Sequence, residues 1–225
     1  MSHTKGDDLA EAAPFTVSIA WDVLWAACPV AGLNGDRARL IRFGENALFH
    51  LPADNVVVRI ARCMDYWGDA TKEVDVARWL ATIHFPAAQV YDVRQPAAIG
   101  GHPVTFWCFI AGRPGDRRDI ATLGTVLRRL HATPRPTTFL LPHENILGRV
   151  RQRINAARVP LADKSFLTQR LSHLQADLSS LRFPLQPTPT HGDAHTENLI
   201  ISHDGRPVLI DFERFAWANR NGILR

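Results

Sequence analysis

Between His191 and Glu213 the chain gathers oxygen-bearing side chains at spacings suited to a hard cation. His191-Gly192-Asp193-Ala194-His195-Thr196-Glu197-Asn198 runs into the apolar stretch Leu199-Ile200-Ile201-Ser202, and a second apolar stretch ends in Ile210-Asp211-Phe212-Glu213. The Asp204-Gly205 pair between the two stretches predicts a two-residue hairpin turn, because that turn needs positive φ at both central positions. Such a turn sets Asn198 directly across from Asp211 at the open end of the hairpin. Directly opposed residues have Cβ atoms about 4.5–5.5 Å apart. An amide oxygen and a carboxylate at that separation can share one hard divalent cation. Asp193 arrives just before this platform as a third oxygen-bearing group.

An Asp followed five positions later by Asn, then a hairpin ending in Asp-Phe, resembles the catalytic loop and metal-binding segment of protein kinases. Gly192 stands where a protein kinase has Arg, and Glu213 where it has Gly. These departures point to small-molecule kinases, and the chain resembles the aminoglycoside phosphotransferase family, which includes choline-kinase-like and other antibiotic kinases. The resemblance implies an α+β, protein-kinase-like two-lobed fold, with a small antiparallel-sheet N-lobe and a mainly helical C-lobe. It also implies transfer of the γ-phosphate of ATP, or of GTP, to a hydroxyl of a small molecule such as an aminoglycoside, another antibiotic or a metabolite. In that comparison Asp193 accepts the hydroxyl proton, and Asn198 and Asp211 hold Mg2+.

The elements that must position these groups follow from pattern. Val17 to Ala27 reads as an apolar helix ended by Pro29 and Gly32. From Leu40 to Ile60 the pattern is strand-like, with turns at Gly44-Glu45-Asn46 and at Pro52 to Asn55. In the resembled kinase sheet, Gly44 to Ala47, including Asn46, is the loop over the phosphates, and Arg59 takes the place of the phosphate-pairing Lys. Asp69 is the expected N-cap of a helix from about Ala70 to Ile83, on whose edge Glu73 can face the sheet and pair with Arg59. Alone, Arg59 reads as a solvent-facing strand residue and Glu73 as an ordinary helix-surface partner. Short strands are expected near Gln89–Val93 and from Pro103 to Ile110.

Ala111-Gly112-Arg113-Pro114-Gly115 then breaks the chain, as a hinge would, dividing it into residues 1–110 and 111–225. The resemblance brings Trp107 to Ile110, and so Phe109 and Ile110, near the adenine; Trp107 and Phe109 read equally as core aromatics. Beyond the break, helices are expected at Ile120 to His131, near Glu144 to Ala157 and at Asp163 to Leu181. The hairpin is apolar on both faces and needs cover on both.

Other readings stay open at this point. Alternating His191, Asp193 and His195 can be ligands of a metallohydrolase, although Asn198 and Asp211 then have no work and no second cluster completes a zinc site. A nucleotide-binding protein on the same fold, without turnover, is a further alternative. Members of the resembled family continue after Asp-Phe-Glu into helices that close the acceptor pocket, whereas 14 residues follow Asp211 here, so the C-lobe is expected to be incomplete.

The net charge of +4 and pI near 9.3 raise the question of nucleic acid. Arg149, Arg151, Arg153 and Arg158 cluster without interleaved aromatics and read as a solvated helix face, which argues against a nucleic-acid partner. Cys28, Cys63 and Cys108 are odd in number and widely spaced, so no disulfide framework is expected and a reducing cytoplasm is the simplest setting. The polar N-terminus, with Lys5, Asp7, Asp8 and Glu11, lacks a signal-peptide core. No stretch approaches the roughly 18 apolar residues of a membrane span, so a soluble protein is expected; the partner that the resemblance implies is a small-molecule hydroxyl acceptor.

Overall fold

The computed structural model describes residues 14–219; the polar N-terminal stretch and Arg220 to Gly222 lie outside the described residues. The chain separates into two compact units. One takes the described residues up to Val74 with Gln89–Phe109, the other Asp75–Ala88 and the described residues from Ile110.

The first unit is built on helix α1, Val17–Ala31, and a five-stranded antiparallel sheet. Thr16 caps α1 by accepting from the Ile19 N–H at 3.2 Å. At the other end Gly32 is left-handed (φ 66°) and the Leu33 N–H donates back to the Cys28 carbonyl at 2.9 Å, which satisfies an orphan carbonyl. Pro29 sits inside the last turn and does not end the helix as expected. Its missing N–H forfeits only one intrahelical bond there.

The strands are β1 (Arg39–Phe43), β2 (Asn46–Leu51), β3 (Val56–Ala61), β4 (Ala97–Ile99) and β5 (His102–Cys108), in the order β1-β2-β3-β5-β4. Alternation along them separates two faces. Ala47, Phe49, Leu51, Val56, Val58, Ile60, Val104 and Phe106 pack with Ala20, Val23, Leu24 and Ala27 of α1 in one core. Each large side chain buried in this way contributes about 1.5–3 kcal/mol. Residues of the opposite parity, among them Asn46, Leu48, His50, Arg59, Thr105 and Trp107, share the other face.

Strand β4 was not expected, yet its signal is in the sequence. Gly100-Gly101, both at positive φ, form a two-residue turn between paired Ile99 and His102. The strand expected at Gln89–Val93 is reduced to an isolated bridge between Val90 and Trp107. Helix α2, Trp67–Thr82, is entered through a 3-10 turn at Met64–Tyr66, so Asp69 lies in the first helical turn and is not the N-cap.

In the second unit the segment expected to be a break is a strand. β6 (Gly112–Pro114) pairs with β8 (Leu199–Ser202), which pairs with β9 (Pro207–Leu209). A Cβ on Gly112 would fall 2.3 Å from the Ile201 carbonyl oxygen, so only glycine permits this approach. The paired strands β7 (Thr188–Thr190) and β10 (Ala216–Ala218) bracket residues 191–215.

Helix α3 covers Ile120–His131 as its periodicity predicts, burying Leu123, Val126, Leu127 and Leu130. Helix α4 (Val150–Ala156) starts later than expected, and α5 spans Leu161–Ser180. On the hairpin, Leu199 and Leu209 are fully buried, while Ile200, Ile201, Val208 and Ile210 are half-buried. No described helix is long and apolar enough to cross a membrane.

The β8–β9 turn corrects the register. Leu199 pairs with Leu209 and Ile200 with Val208, and the Ser202 N–H donates to the Arg206 carbonyl at 2.9 Å. The loop therefore has three residues, His203-Asp204-Gly205. The Gly205 N–H closes a turn onto the Ser202 carbonyl at 2.8 Å, with Gly205 left-handed at φ 81°, the three-residue hairpin form. Asp204 organises it by accepting from Ser202 Oγ at 2.5 Å, from the Arg206 N–H at 3.3 Å and from Arg206 Nε at 2.6 Å. Asn198 consequently lies across from Ile210, not Asp211, and the Ile210 N–H donates to its carbonyl at 3.0 Å.

Candidate active site

The loop from His191 to Asn198 is tied down at both ends. Asn198, buried at the end of a 3-10 turn over Thr196–Asn198, donates from Nδ2 to the Asp193 carbonyl at 2.9 Å, and its own N–H donates to the His195 carbonyl at 3.0 Å. The fully buried His191 ring lies with Nε2 2.8 Å from the Ile210 carbonyl. A carbonyl only accepts, so Nε2 carries the proton there.

Burial pushes the His191 pKa down, partly opposed by that carbonyl and by the charges of Asp211 and Asp193. Two carboxylates thus act electrostatically on one buried ring from the two ends of the loop–hairpin assembly. Gly192 is left-handed (φ 78°), and a Cβ on it would fall 2.2 Å from the Arg214 carbonyl oxygen. Its glycine lets the chain beyond Asp211 lie directly against the loop.

Asp193 is half-buried and Asp211 exposed. Asp211 itself takes a left-handed backbone, φ 64°, which leaves the strand geometry just past β9. The expected direct opposition of Asn198 and Asp211 is therefore replaced by an offset of one residue with a sharp backbone turn. The donor chemistry still fits Mg2+, which is commonly held through one or two carboxylates with waters and substrate phosphates completing the shell.

The metallohydrolase alternative finds no support. Among the described residues no group of three His, Cys, Asp or Glu side chains is placed to hold a metal ion, and His191 Nε2 is engaged by Ile210. One contact was invisible to sequence reasoning: Arg149 Nη1 donates to Glu213 Oε1 at 2.9 Å. All four arginines are exposed, as expected, and Arg149 is in addition a partner of the segment beside Asp211. No local signal links residues so far apart in the chain.

In the first unit, Arg59 and Glu73 pair as expected, through Nη1 and Oε2. Glu73 is buried, which removes the reading of it as a helix-surface residue. Phe109 stacks on His50 with ring centroids 3.9 Å apart and planes 18° from parallel, and its N–H donates to the Asn55 carbonyl at 2.9 Å. Trp107 is buried and donates from Nε1 to Thr105 Oγ1 at 2.9 Å. Gly44 donates to the Asn46 carbonyl at 3.0 Å, and open space surrounds the place a Cβ would take, so the turn itself does not require glycine. Ile110 is half-buried and is the first residue of the second unit's C-terminal stretch.

With this geometry in place, comparison with known proteins is decisive at the level of family. The model of the phosphotransferase enzyme family matches residues 42–220. The chain belongs to that family. No curated protein sequence matches this phosphotransferase-family chain.

Among solved structures it is similar to an aminoglycoside phosphotransferase, APH(3'')-Id, from Streptomyces rimosus, at 20% identity and TM-score 0.62, covering 91% of this chain and 79% of that one. It is also similar to a microcompartment-associated aminopropanol kinase at 18% identity and TM-score 0.60, covering 91% and 71%. A third likeness is to spectinomycin phosphotransferase APH(9)-Ia, solved with ADP and spectinomycin, at 17% identity and TM-score 0.52, covering 81% and 65%. These likenesses establish an α+β, protein-kinase-like fold for this phosphotransferase-family member, with an antiparallel-sheet N-terminal part and a mainly helical C-terminal part.

Proposed function

We propose that this phosphotransferase-family chain moves the γ-phosphoryl group of ATP, or of GTP, to a hydroxyl of a small molecule. The observation that carries the reading is the staple between Asn198 Nδ2 and the Asp193 carbonyl. It fixes the backbone of a carboxylate beside a segment that carries oxygen donors suited to a hard cation.

In this reading the Asp193 carboxylate accepts the proton of the acceptor hydroxyl. The new bond joins the acceptor oxygen to the γ-phosphorus, the bond from that phosphorus to the β,γ-bridging oxygen breaks, and the nucleoside diphosphate leaves. Asn198 and Asp211 hold Mg2+, which when bound neutralises phosphate charge. Arg59, paired with Glu73, meets phosphate oxygens with a planar fork where kinases use an ammonium. Gly44 leaves open space in the turn ahead of β2 for phosphates to approach, and Phe109 with Ile110 lies at the end of β5, where the base is placed by analogy with kinases.

The spectinomycin enzyme solved with ADP supports a nucleotide as donor. The aminoglycoside and aminopropanol kinases support a hydroxyl-bearing small molecule, an antibiotic among them, as acceptor. The three free cysteines suit the reducing cytoplasm. A transfer screen tests the reading: labelled ATP and GTP are offered with aminoglycosides, other antibiotics and amino alcohols, with and without Mg2+, to wild type and to Asp193→Asn. Acceptor-dependent labelling lost in Asp193→Asn is the expected result. Nucleotide binding without transfer to any acceptor would favour a non-catalytic binding protein.

A further inference from the structure

We propose that Asn46 is a positioning residue for Arg59: its side-chain amide holds the guanidinium in the orientation that receives phosphate oxygens. This inference rests on the reading of Arg59 as the phosphate-binding cation. It departs from the sequence-based expectation that Asn46 belongs to the phosphate loop as a nucleotide contact.

The strand register makes the hold possible. Asn46 pairs with Ala61 and Leu48 with Arg59, so Asn46 is the diagonal neighbour of Arg59 on the sheet face opposite α1, a spacing that long side chains bridge. The directly opposed Leu48 has no polar atom to offer. With its amide oxygen turned toward the guanidinium, the orientation that satisfies both groups, Asn46 accepts from Arg59 Nη2 at 2.9 Å and from Nε at 3.3 Å. Glu73 takes Nη1, on the other branch of the fork. A planar group gripped on two sides cannot swing about its terminal torsions.

The chemistry of the pair matters as much as its geometry. Position 59 is arginine, and a guanidinium binds oxyanions well only when its plane faces them, whereas an ammonium is indifferent to rotation. A cation held in plane beforehand has less conformational freedom to lose when phosphate arrives. Glu73 pairs with Arg59. A neutral amide grips the fork without adding negative charge beside the group that is to attract phosphate. Asn46 also ends the Gly44-Glu45-Asn46 turn, so the hold ties the turn to the cation.

A double-mutant cycle on the whole chain tests this, with dissociation constants for ATP and for adenosine measured in wild type, Asn46→Ala, Arg59→Lys and the double variant. We expect Asn46→Ala to weaken ATP about five- to tenfold, the net worth of about one hydrogen bond, and adenosine less than about twofold. In the Arg59→Lys background, Asn46→Ala should change ATP affinity by less than about twofold, because the ammonium has no plane to hold.

Equal losses in both backgrounds would show that Asn46 acts on nucleotide or turn directly, and overturn the proposal while leaving Arg59 in place. An Arg59→Ala variant, measured beside these, that binds ATP as wild type does would overturn the phosphate-binding reading of Arg59 itself. One readout needs no nucleotide: the Arg59 Nε–H resonance should exchange slowly in wild type and be lost to exchange in Asn46→Ala. Unchanged exchange would refute the hold outright.

Discussion

The side-chain amide of Asn198 donates to the main-chain carbonyl of Asp193 at 2.9 Å. One residue proposed to hold the metal therefore also fixes the backbone of the residue proposed to accept the proton. Asn198 Nδ2 is spent on this bond, which leaves its other amide atom, Oδ1, for the proposed role of cation ligand. Replacing Asn198 by Asp swaps a donor for a carboxylate facing a carbonyl. We expect Asn198→Asp to lose about 1–3 kcal/mol of stability and to transfer phosphate poorly even at saturating Mg2+. Activity restored to wild type by added Mg2+ would show that Asn198 serves the metal alone.

Asp193→Asn should lower the transfer rate by roughly 10²–10⁴-fold, the range associated with a lost general base, with nucleotide affinity nearly unchanged. The measurement is a comparison of kcat and of nucleotide dissociation constants in the two proteins. A matching fall in nucleotide affinity would indicate instead that the substitution disturbs the loop held by Asn198.

Asp211 sits at φ 64°, a conformation Asn tolerates and Ala does not. Asp211→Asn should abolish Mg2+-dependent tightening of nucleotide binding with little change in unfolding free energy. Asp211→Ala should do the same and in addition cost about 1–2 kcal/mol. Superimposable Mg2+ titrations for wild type and Asp211→Asn would remove Asp211 from the metal site.

Gly192 combines a positive φ with a Cβ position 2.2 Å from the Arg214 carbonyl oxygen. Gly192→Ala should destabilise the protein by about 2–5 kcal/mol, summing left-handed strain and forced separation of the two segments. The check is a lower urea midpoint at unchanged slope. A loss under about 0.5 kcal/mol would mean that residues 213–215 yield freely.

The depressed pKa of His191 has a definite sign in stability. The folded state keeps the ring neutral, while the unfolded chain takes up a proton as pH falls through about 6.5. The unfolded state then binds more protons, and stability declines as pH drops below about 6.5 until the folded ring also protonates. His191→Gln, which keeps a donor for the Ile210 carbonyl, should flatten this part of the stability–pH curve. Parallel curves for the two proteins between pH 7.5 and 5 would contradict the assignment.

How much of this was legible in the residues differs from element to element. Local periodicity places α3 at its observed bounds, because the stripe of Leu123, Val126, Leu127 and Leu130 needs only a 3.6-residue repeat. Strand alternation likewise separates Phe49 and Val58 from Leu48 and Arg59. The order of His191, Asp193, Asn198 and Asp211 led from the sequence alone to the family whose model matches residues 42–220, since residues at short spacing are legible in the chain itself.

Tertiary structure decided what depends on groups distant in sequence or on the competition of near-equal local forms. Asp204-Gly205 is compatible with a two-residue turn, but Asp204 draws in Ser202 and Arg206 and widens the loop to three residues. Asn198 therefore faces Ile210, and the route from Asn198 to the proposed base is a hydrogen bond to Asp193. The pairing of β6 with β8, the bond from Arg149 to Glu213 and the seating of Arg214 on Gly192 have no local code. Each is chosen by which buried donors, acceptors and volumes must be satisfied once the chain has closed on itself.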